Sequence, residues 1–342
     1  AEATASFMRL FSGAISDRTG RRKPLLLFGY GLAALSKPLF PLADSALTVM
    51  GARFVDRIGK GIRGAPRDAL IADVTPALLR GAAFGLRQSM DTVGAFLGPM
   101  LAMVLMFLLA GDIRNVMWAA TVPALVAVLV ILRFVEEPVA TIPVDRARAL
   151  WRASELLRLP RFFWIAVLLG MLLTLARFSE AFLLLRASEL GLAAALVPLI
   201  LIVMNLAYAM SAWPAGVVSD RLGRKPLLGL GIVLLILADL LLAIANNPWL
   251  IALGAIIWGL HLGATQGLLS ALVADAAPAE LRGSAFGVLH FAAGIAMLAA
   301  SLVAGFLWSW LGPEATFGAG AVFALCAILA LSFLPSTAAV PS

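Results

Sequence analysis

Apolar stretches of about twenty residues recur along most of this 342-residue chain, and they restrict its fold more than any other feature. A helix crossing the hydrocarbon core of a bilayer needs about 20 mostly apolar residues. Candidates fall near 24–43, 46–72, 82–110, 115–135, 162–186, 193–217, 226–246, 248–273, 284–311 and 314–334. Residues 1–15 read as the tail of another, giving ten full spans and one partial span. Composition agrees: 62% of the residues are hydrophobic and 13% charged, against about 45–50% and about 25% in soluble domains. A soluble enzyme, a disordered chain and a disulfide scaffold are thereby excluded. Cys326 has no second cysteine to pair with, and with His261 and His290 it makes no zinc-binding pattern. No metal or other cofactor is expected. No nucleophile–base pair at a recognisable spacing and no phosphate loop is present, so no enzyme is expected either. Glu2 and Arg9 interrupt the opening apolar run, which rules out a signal-peptide layout there.

The charges orient the spans. Arg18, Arg21, Arg22, Lys23, Arg80, Arg146, Arg148, Arg152, Arg158, Arg221, Arg224, Lys225 and Arg282 fall in one set of loops. The alternate set holds Arg114 and Arg186 with Asp44, Asp112, Glu189 and Glu314. Cytoplasmic loops of membrane proteins carry the excess of Lys and Arg, which places the first set inside. The net charge of +7 is read the same way and not as a nucleic-acid footprint. The longest cytoplasmic segment, about 136–161, reads as a solvated linker with a surface helix.

The chain also repeats itself. GAISDRTGRRKP at 13–24 returns as GVVSDRLGRKP at 216–226. Gly13, Asp17, Arg18, Gly20 and Arg21 match Gly216, Asp220, Arg221, Gly223 and Arg224 at an offset of 203. One extra basic residue in the first copy then shortens the offset to 202. ADVTPALLRGAAFG at 72–85 returns as ADAAPAELRGSAFG at 274–287 at that second offset, pairing Asp73 with Asp275. Both copies of each block lie on the cytoplasmic side, so two halves run parallel, each with an even number of spans. Six spans begin near 162. Subtracting the offset puts the first span of the first half before residue 1, so the chain is expected to lack one helix and part of the next.

The pattern G-x-x-x-D-R-x-G-R-R at 13–22 resembles the loop 2–3 signature of the major facilitator superfamily, and the copy at 216–226 its echo in loop 8–9. The resemblance implies an all-α membrane fold of two parallel six-helix repeats. Residues 1–135 would be an N-terminal bundle of helices 2–6, 136–161 a cytoplasmic linker, and 162–342 a C-terminal bundle of helices 7–12. It implies further that the signature loops brace a cytoplasmic gate. Asp17 would face a helix N-terminus in the other half, where the positive dipole end favours a carboxylate. Arg18 and Arg21 would pair with Asp73. Asp220, Arg221, Arg224 and Asp275 would do the same in the second half. Gly13, Gly20 and Gly216 belong to the same motif, Gly13 and Gly216 allowing close backbone approach. GAFLGP at 94–99 resembles the Gly-x-x-x-Gly-Pro core of a motif common in drug–proton antiporters.

One span is far more charged than the rest. RFVDRIGKGIRGAPRD at 53–68 carries Arg53, Asp56, Arg57, Lys60, Arg63, Arg67 and Asp68. On a helical wheel all seven share an arc of roughly 140°. Ala52, Val55, Ile58, Ile62, Ala65, Pro66 and Ala69 occupy the opposite arc. A charge at mid-bilayer costs at least about 2.5–3.5 kcal/mol. These side chains must therefore face one another or a water-filled cavity, and the resemblance places this helix at the central cavity. Arg67 and Asp68 are expected nearer the gate. With five bases against two acids, the face favours an anionic or zwitterionic solute. Arg87 and Asp91 form an i, i+4 pair on the next helix. Arg177 and Glu180 lie within the span 162–186. Asp56 and Glu180 are the acids to test first for proton coupling, since a low-dielectric setting disfavours a carboxylate's charged form, a static ion pair being the other role open to each. The matching helix of the second half, 256–270, offers His261 and Gln266 with no formal charge. Asp239 has no evident partner.

The function expected is secondary active transport of a small solute by alternating access, as a proton-coupled exporter or antiporter. Uptake or exchange of a small organic anion is the alternative that the basic helix favours, and a non-transporting membrane sensor is a third. The expected setting is the inner membrane of a bacterium. Richness in Ala, Leu and Arg beside only four lysines suits a GC-rich genome. The expected partners are the solute, the proton and the lipid bilayer, with no nucleic acid and no second subunit.

Overall fold

The computed structural model describes residues 2–137, 159–193 and 196–334, and every regular element among them is helical. The first part holds α1 (Glu2–Thr19), α2 (Lys23–Ser36), α3 (Ala46–Val74), α4 (Arg80–Leu108), α5 (Ile113–Ala119) and α6 (Thr121–Phe134). The second holds α7 (Arg161–Ala176), α8 (Ala181–Glu189), α9 (Pro198–Leu222), α10 (Arg224–Ile244), α11 (Pro248–Ala276) and α12 (Arg282–Ser332). α12 is two helices end to end, turned at Gly312, whose φ of +82° suits a residue without a Cβ. Most of the expected linker, with Arg146, Arg148, Arg152 and Arg158, lies outside the described residues.

Seven helical stretches among the described residues are long and apolar enough to cross a membrane, the last of them being the whole of Ala279–Ser332. α3 is long enough at 29 residues, but its charges keep it out of that set. The expected span 162–186 is not continuous. α7 stops at Ala176, Arg177 leaves the helical region (φ −100°, ψ 76°), and α8 resumes at Ala181. No Gly or Pro announces this break.

Contacts divide the chain into two compact units that interleave in sequence. One comprises 1–74, 97–159 and 277–294, and the other 75–96, 160–276 and 295–342. Between helices in lipid there is little hydrophobic drive, so association depends on close van der Waals fit through small residues. In the first unit, α3 meets α1 where Gly61 lies against Ala5 and Met8, and meets α2 where Gly59 lies against Gly29 and Ala33. Ala52, Ile62, Ala65 and Ala69 are buried, so the uncharged arc of α3 is its packed face. Gly13 of α1 touches the Gly283 backbone at the start of α12 so closely that a Cβ would overlap the Gly283 carbonyl oxygen.

The second unit repeats the device. Gly216 of α9 meets the Gly81 carbonyl at the start of α4, and Gly85 meets the Ala212 carbonyl. Gly259 and Gly263 let α11 close on Met204 and Ser211 of α9. The α7–α8 break is anchored by Phe178, 4% exposed, whose ring packs on Phe182, Trp258 and Phe317 at centroid distances of 5.3, 5.7 and 5.4 Å. Phe28, Leu47, Phe107, Met210 and Leu302 are among the large apolar side chains left exposed, as a lipid-facing surface requires.

Gly13→Val and Gly216→Val are each expected to destabilise the protein by about 1–3 kcal/mol, the usual cost of overpacking. Gly94→Ala, with open space at its Cβ position, is expected to change nothing. Thermal unfolding in detergent checks both, and equal melting temperatures for all three variants would refute the close-approach account.

Candidate functional site

Each unit contains one copy of the same polar brace. In the first unit Asp17 is buried at the end of α1. Its Oδ1 accepts from the Gly283 N–H at 2.9 Å and its Oδ2 from the Ser284 N–H at 2.6 Å. Those are N–H groups of the first turn of α12, which have no intrahelical acceptor. Arg22 donates to Asp17 at 2.6 Å, to Ser16 Oγ at 2.6 Å and to Asp73 at 3.2 Å. Arg282 reaches the other oxygen of Asp73 at 2.8 Å and the Ala72 carbonyl at 3.3 Å.

The second unit matches it group for group. Asp220 accepts from the Gly81 and Ala82 N–H groups of α4 at 2.9 and 2.8 Å. Arg224 donates to Asp220 at 2.6 Å, to Ser219 Oγ at 3.1 Å and to Asp275 at 3.1 Å. Arg80 joins Asp275 at 2.9 Å and the Ala274 carbonyl at 3.1 Å. Even the flanking lysines correspond: Lys23 Nζ donates to the Leu132 carbonyl and Lys225 Nζ to the Ser332 and Leu334 carbonyls. Glu137 adds an acceptor for the Arg22 and Lys23 N–H groups in the first unit alone.

The expected partners of Asp73 are corrected by this geometry. Arg18 and Arg21 are exposed, as is Arg221, and the guanidinium on Asp73 from its own half is that of Arg22. Arg18 follows Asp17 by one helical position, about 100° around the axis, and so points elsewhere. Gly20 (φ +64°) and Gly223 (φ +92°) turn the chain so that the residue opening the next helix points back into the brace. That residue is Arg22 in one copy and Arg224 in the other. The extra basic residue of the first copy therefore lies before Arg22, and the structural equivalent of Arg224 is Arg22, not Arg21. Arg80 and Arg282 were legible as repeated residues, but their reach across to Asp275 and Asp73 was not.

On α3 the charged arc is the less packed face. Arg53 is exposed; Asp56, Arg57, Lys60, Arg63 and Arg67 are half-buried. Asp56 pairs with Lys37 at 3.0 Å, and the Arg63 guanidinium lies 4.0 Å above the Tyr30 ring, within cation–π range. Asp68 is fully buried. It accepts from Arg67 at 3.3 Å and faces His290 Nε2 of α12 at 2.7 Å, a partner that the sequence did not reveal.

The remaining site candidates share the second unit. Arg87 and Asp91 pair at 2.7 Å on α4. Arg177 and Glu180 bracket the α7–α8 break, and Arg177 is within electrostatic reach of Glu180, of Tyr208 on α9 and of His261 on α11. Tyr208 in turn hydrogen-bonds Gln88 and feels Arg87 and Asp91. Three helices and one broken segment thus bring cations, acids and a phenol together inside the second unit. His261 is fully buried, with Nδ1 at 2.7 Å from the Gly231 carbonyl. Gln266 is half-buried. Gly94 and Gly98 have open space beside them. Among the described residues no cluster of His, Cys, Asp and Glu is arranged to hold a metal ion.

Known proteins share this organisation. The family model described as Major Facilitator Superfamily matches residues 2–187 and again 180–342. An MFS-type transporter of Methanocaldococcus jannaschii is 30% identical over 339 residues, covering 97% of this chain and 83% of the relative. The class B tetracycline resistance protein of Escherichia coli is 31% identical over a shorter stretch of 118 residues, 34% of this chain and 29% of that protein. The crystal structure of the human organic anion transporter MFSD10 superposes with a TM-score of 0.80 at 21% identity, covering 97% of this chain and 82% of that one. With a family model matched along nearly its whole length and an all-helical, membrane-spanning fold, the chain belongs to the major facilitator superfamily, whose members are transporters of small-molecule solutes and not enzymes.

Proposed function

We propose that this transporter exports a small organic anion in exchange for protons, by alternating access, in the inner membrane of a bacterium. The observation that carries the reading is the basic arc of α3. Five cations and Asp56 lie along the less packed face of one helix, with Asp68 buried at its inner end, while the apolar face is packed. A cation-rich surface in a low-dielectric setting attracts anions and repels cations. Arg177, Arg87 and Tyr208 of the second unit extend the same chemistry. A relative that is an organic anion transporter supports the substrate class. A relative that confers tetracycline resistance supports export, since resistance follows from removing the drug. Asp56 and Glu180 are the acids we assign to proton exchange.

The two braces would hold the cytoplasmic side shut. Each places a carboxylate on two helix N–H groups and locks it with an arginine, so breaking one exposes charge and unsatisfied donors together. Gly13, Gly20 and Gly216 supply the turns and close approaches that this lock needs.

Uptake or exchange of the anion is the second reading, because the basic arc fixes substrate charge and not direction. Proteoliposome flux under imposed pH and voltage gradients separates the two. Organic anions should be driven out of the compartment corresponding to the cytoplasm as protons enter it. Co-accumulation of anion and proton would select uptake, and preference for cationic solutes would sink the anion reading.

Two further outcomes are expected. Arg57→Ala should lower anion flux at least about tenfold, equivalent to about 1.4 kcal/mol, without lowering the melting temperature. Asp17→Ala and Asp220→Ala should each weaken the lock by about 0.5–2 kcal/mol, the worth of a helix N-terminal cap. A cysteine placed at buried Ser12, with Cys326 replaced by serine, should then react faster with an impermeant thiol reagent from the cytoplasmic side. Unchanged labelling in both variants would show that the braces do not control access.

A further inference from the structure

Asp239 is used by none of the chemistry above. It lies on α10 inside the second unit and is fully buried, and neither carboxylate oxygen has a hydrogen-bond partner among the described residues. The titratable groups on the surrounding elements include Arg177 and Glu180 at the α7–α8 break, Arg186 on α8, which donates to the Ala243 and Ala245 carbonyls at the end of α10, Tyr208 on α9, His261 on α11, and Glu314 and Cys326 on the last helix. Asp239 makes no ion pair with any of them among the described residues. An ionised carboxylate in that position is prohibitively costly unless something neutralises it.

What faces it sharpens the problem. A Cβ at Gly320 would sit 2.7 Å from Asp239 Oδ2 and 2.8 Å from the carbonyl oxygen of Ala176. Two acceptor oxygens therefore converge on one point, with a glycine Cα–H as the group beside them, a weak donor at best. The Ala176 carbonyl is the last of α7, at the negative end of that helix's dipole, where an anion is least welcome. A calcium or magnesium ion would need about six or more oxygen ligands, and Asp239 and Ala176 offer three. A proton needs only two oxygens, and Asp239 Oδ2 and the Ala176 carbonyl lie on either side of the same point.

Resting on the transport reading above, we propose that Asp239 is a further proton-binding site of the second unit, beside Glu180, its protonated carboxyl donating to the Ala176 carbonyl. Protonation pins the end of α7. Loss of the proton sets the carboxylate against that carbonyl and pushes α7 away from α10. The next residue along is Arg177, where the helix breaks and the polar cluster begins. A proton gained or lost at Asp239 therefore moves a recognition side chain one residue away, so proton and solute are coupled without meeting.

Infrared difference spectroscopy of the purified protein at neutral pH tests the site without any solute. A carbonyl stretch of a buried protonated carboxylic acid is expected in the wild type, absent from Asp239→Asn and shifted in Gly320→Ala. An identical band in wild type and Asp239→Asn would overturn the assignment. Should Asp239→Asn fail to fold, Asp239→Glu gives the same reading through a displaced band, and an undisplaced band overturns it. In proteoliposomes Asp239→Asn should lose pH-gradient-driven movement of the organic anions that the wild type moves. Retained gradient-driven movement would overturn the coupling role. Failure of the wild type to move any anion, with the band still lost in Asp239→Asn, would reject the transport reading while the proton site stood.

Discussion

A carboxylate held by two N–H groups at a helix N-terminus, with an arginine locked against it, is the arrangement on which the structure turns. Helix starts leave donors unsatisfied, and burial makes that costly. Asp17 and Asp220 resolve the cost for α12 and α4. Their own burial is made tolerable by Arg22 and Arg224, and those cations are balanced in turn by Asp73 and Asp275. No member of the set is comfortable without the others. The glycines follow from the same requirement, since a carboxylate reaches both amides only if the helices touch backbone to backbone, as Gly13 does Gly283 and Gly216 does Gly81.

The two units are alike in bracing and unlike in recognition chemistry. The first presents a helix dense in charge, part of which is already neutralised by Lys37, Tyr30 and His290. The second offers fewer charges, gathered around a break in a helix. The repeat thus keeps the braces alike, while the surfaces proposed for recognition differ. That is expected where the brace must satisfy fixed backbone geometry and the surface need only suit a solute.

Much of this was legible in the sequence, and the limits are physical. Most of the apolar spans, the repeat and the uncharged arc of α3 follow from periodicity and composition and recur in the helices, although α2 ends at Ser36 within the expected span 24–43 and the span 162–186 is broken. The register of the first brace was not legible. An inserted basic residue can sit on either side of a turn, and only the contacts of Arg22 with Asp17 and Asp73 show that it is the one pointing inward. The α7–α8 break was missed because it is held by tertiary contacts of Phe178 and not by a local helix breaker. His290 and Ala176 were missed because partners brought from distant helices leave no mark at fixed spacing.

The interleaving of the units has a consequence for how the chain is made. The Asp220 brace has all its parts once residue 275 has been synthesised, its α4 amides having waited since residue 82. The Asp17 brace, whose acid appears among the first twenty residues, cannot close until Ser284 emerges. Each lock therefore waits on a distant partner, 139 residues away between Gly81 and Asp220 and 266 between Asp17 and Gly283. Asp17 and Arg22, five residues apart, can pair early, while the amides that complete their lock follow some 266 residues later.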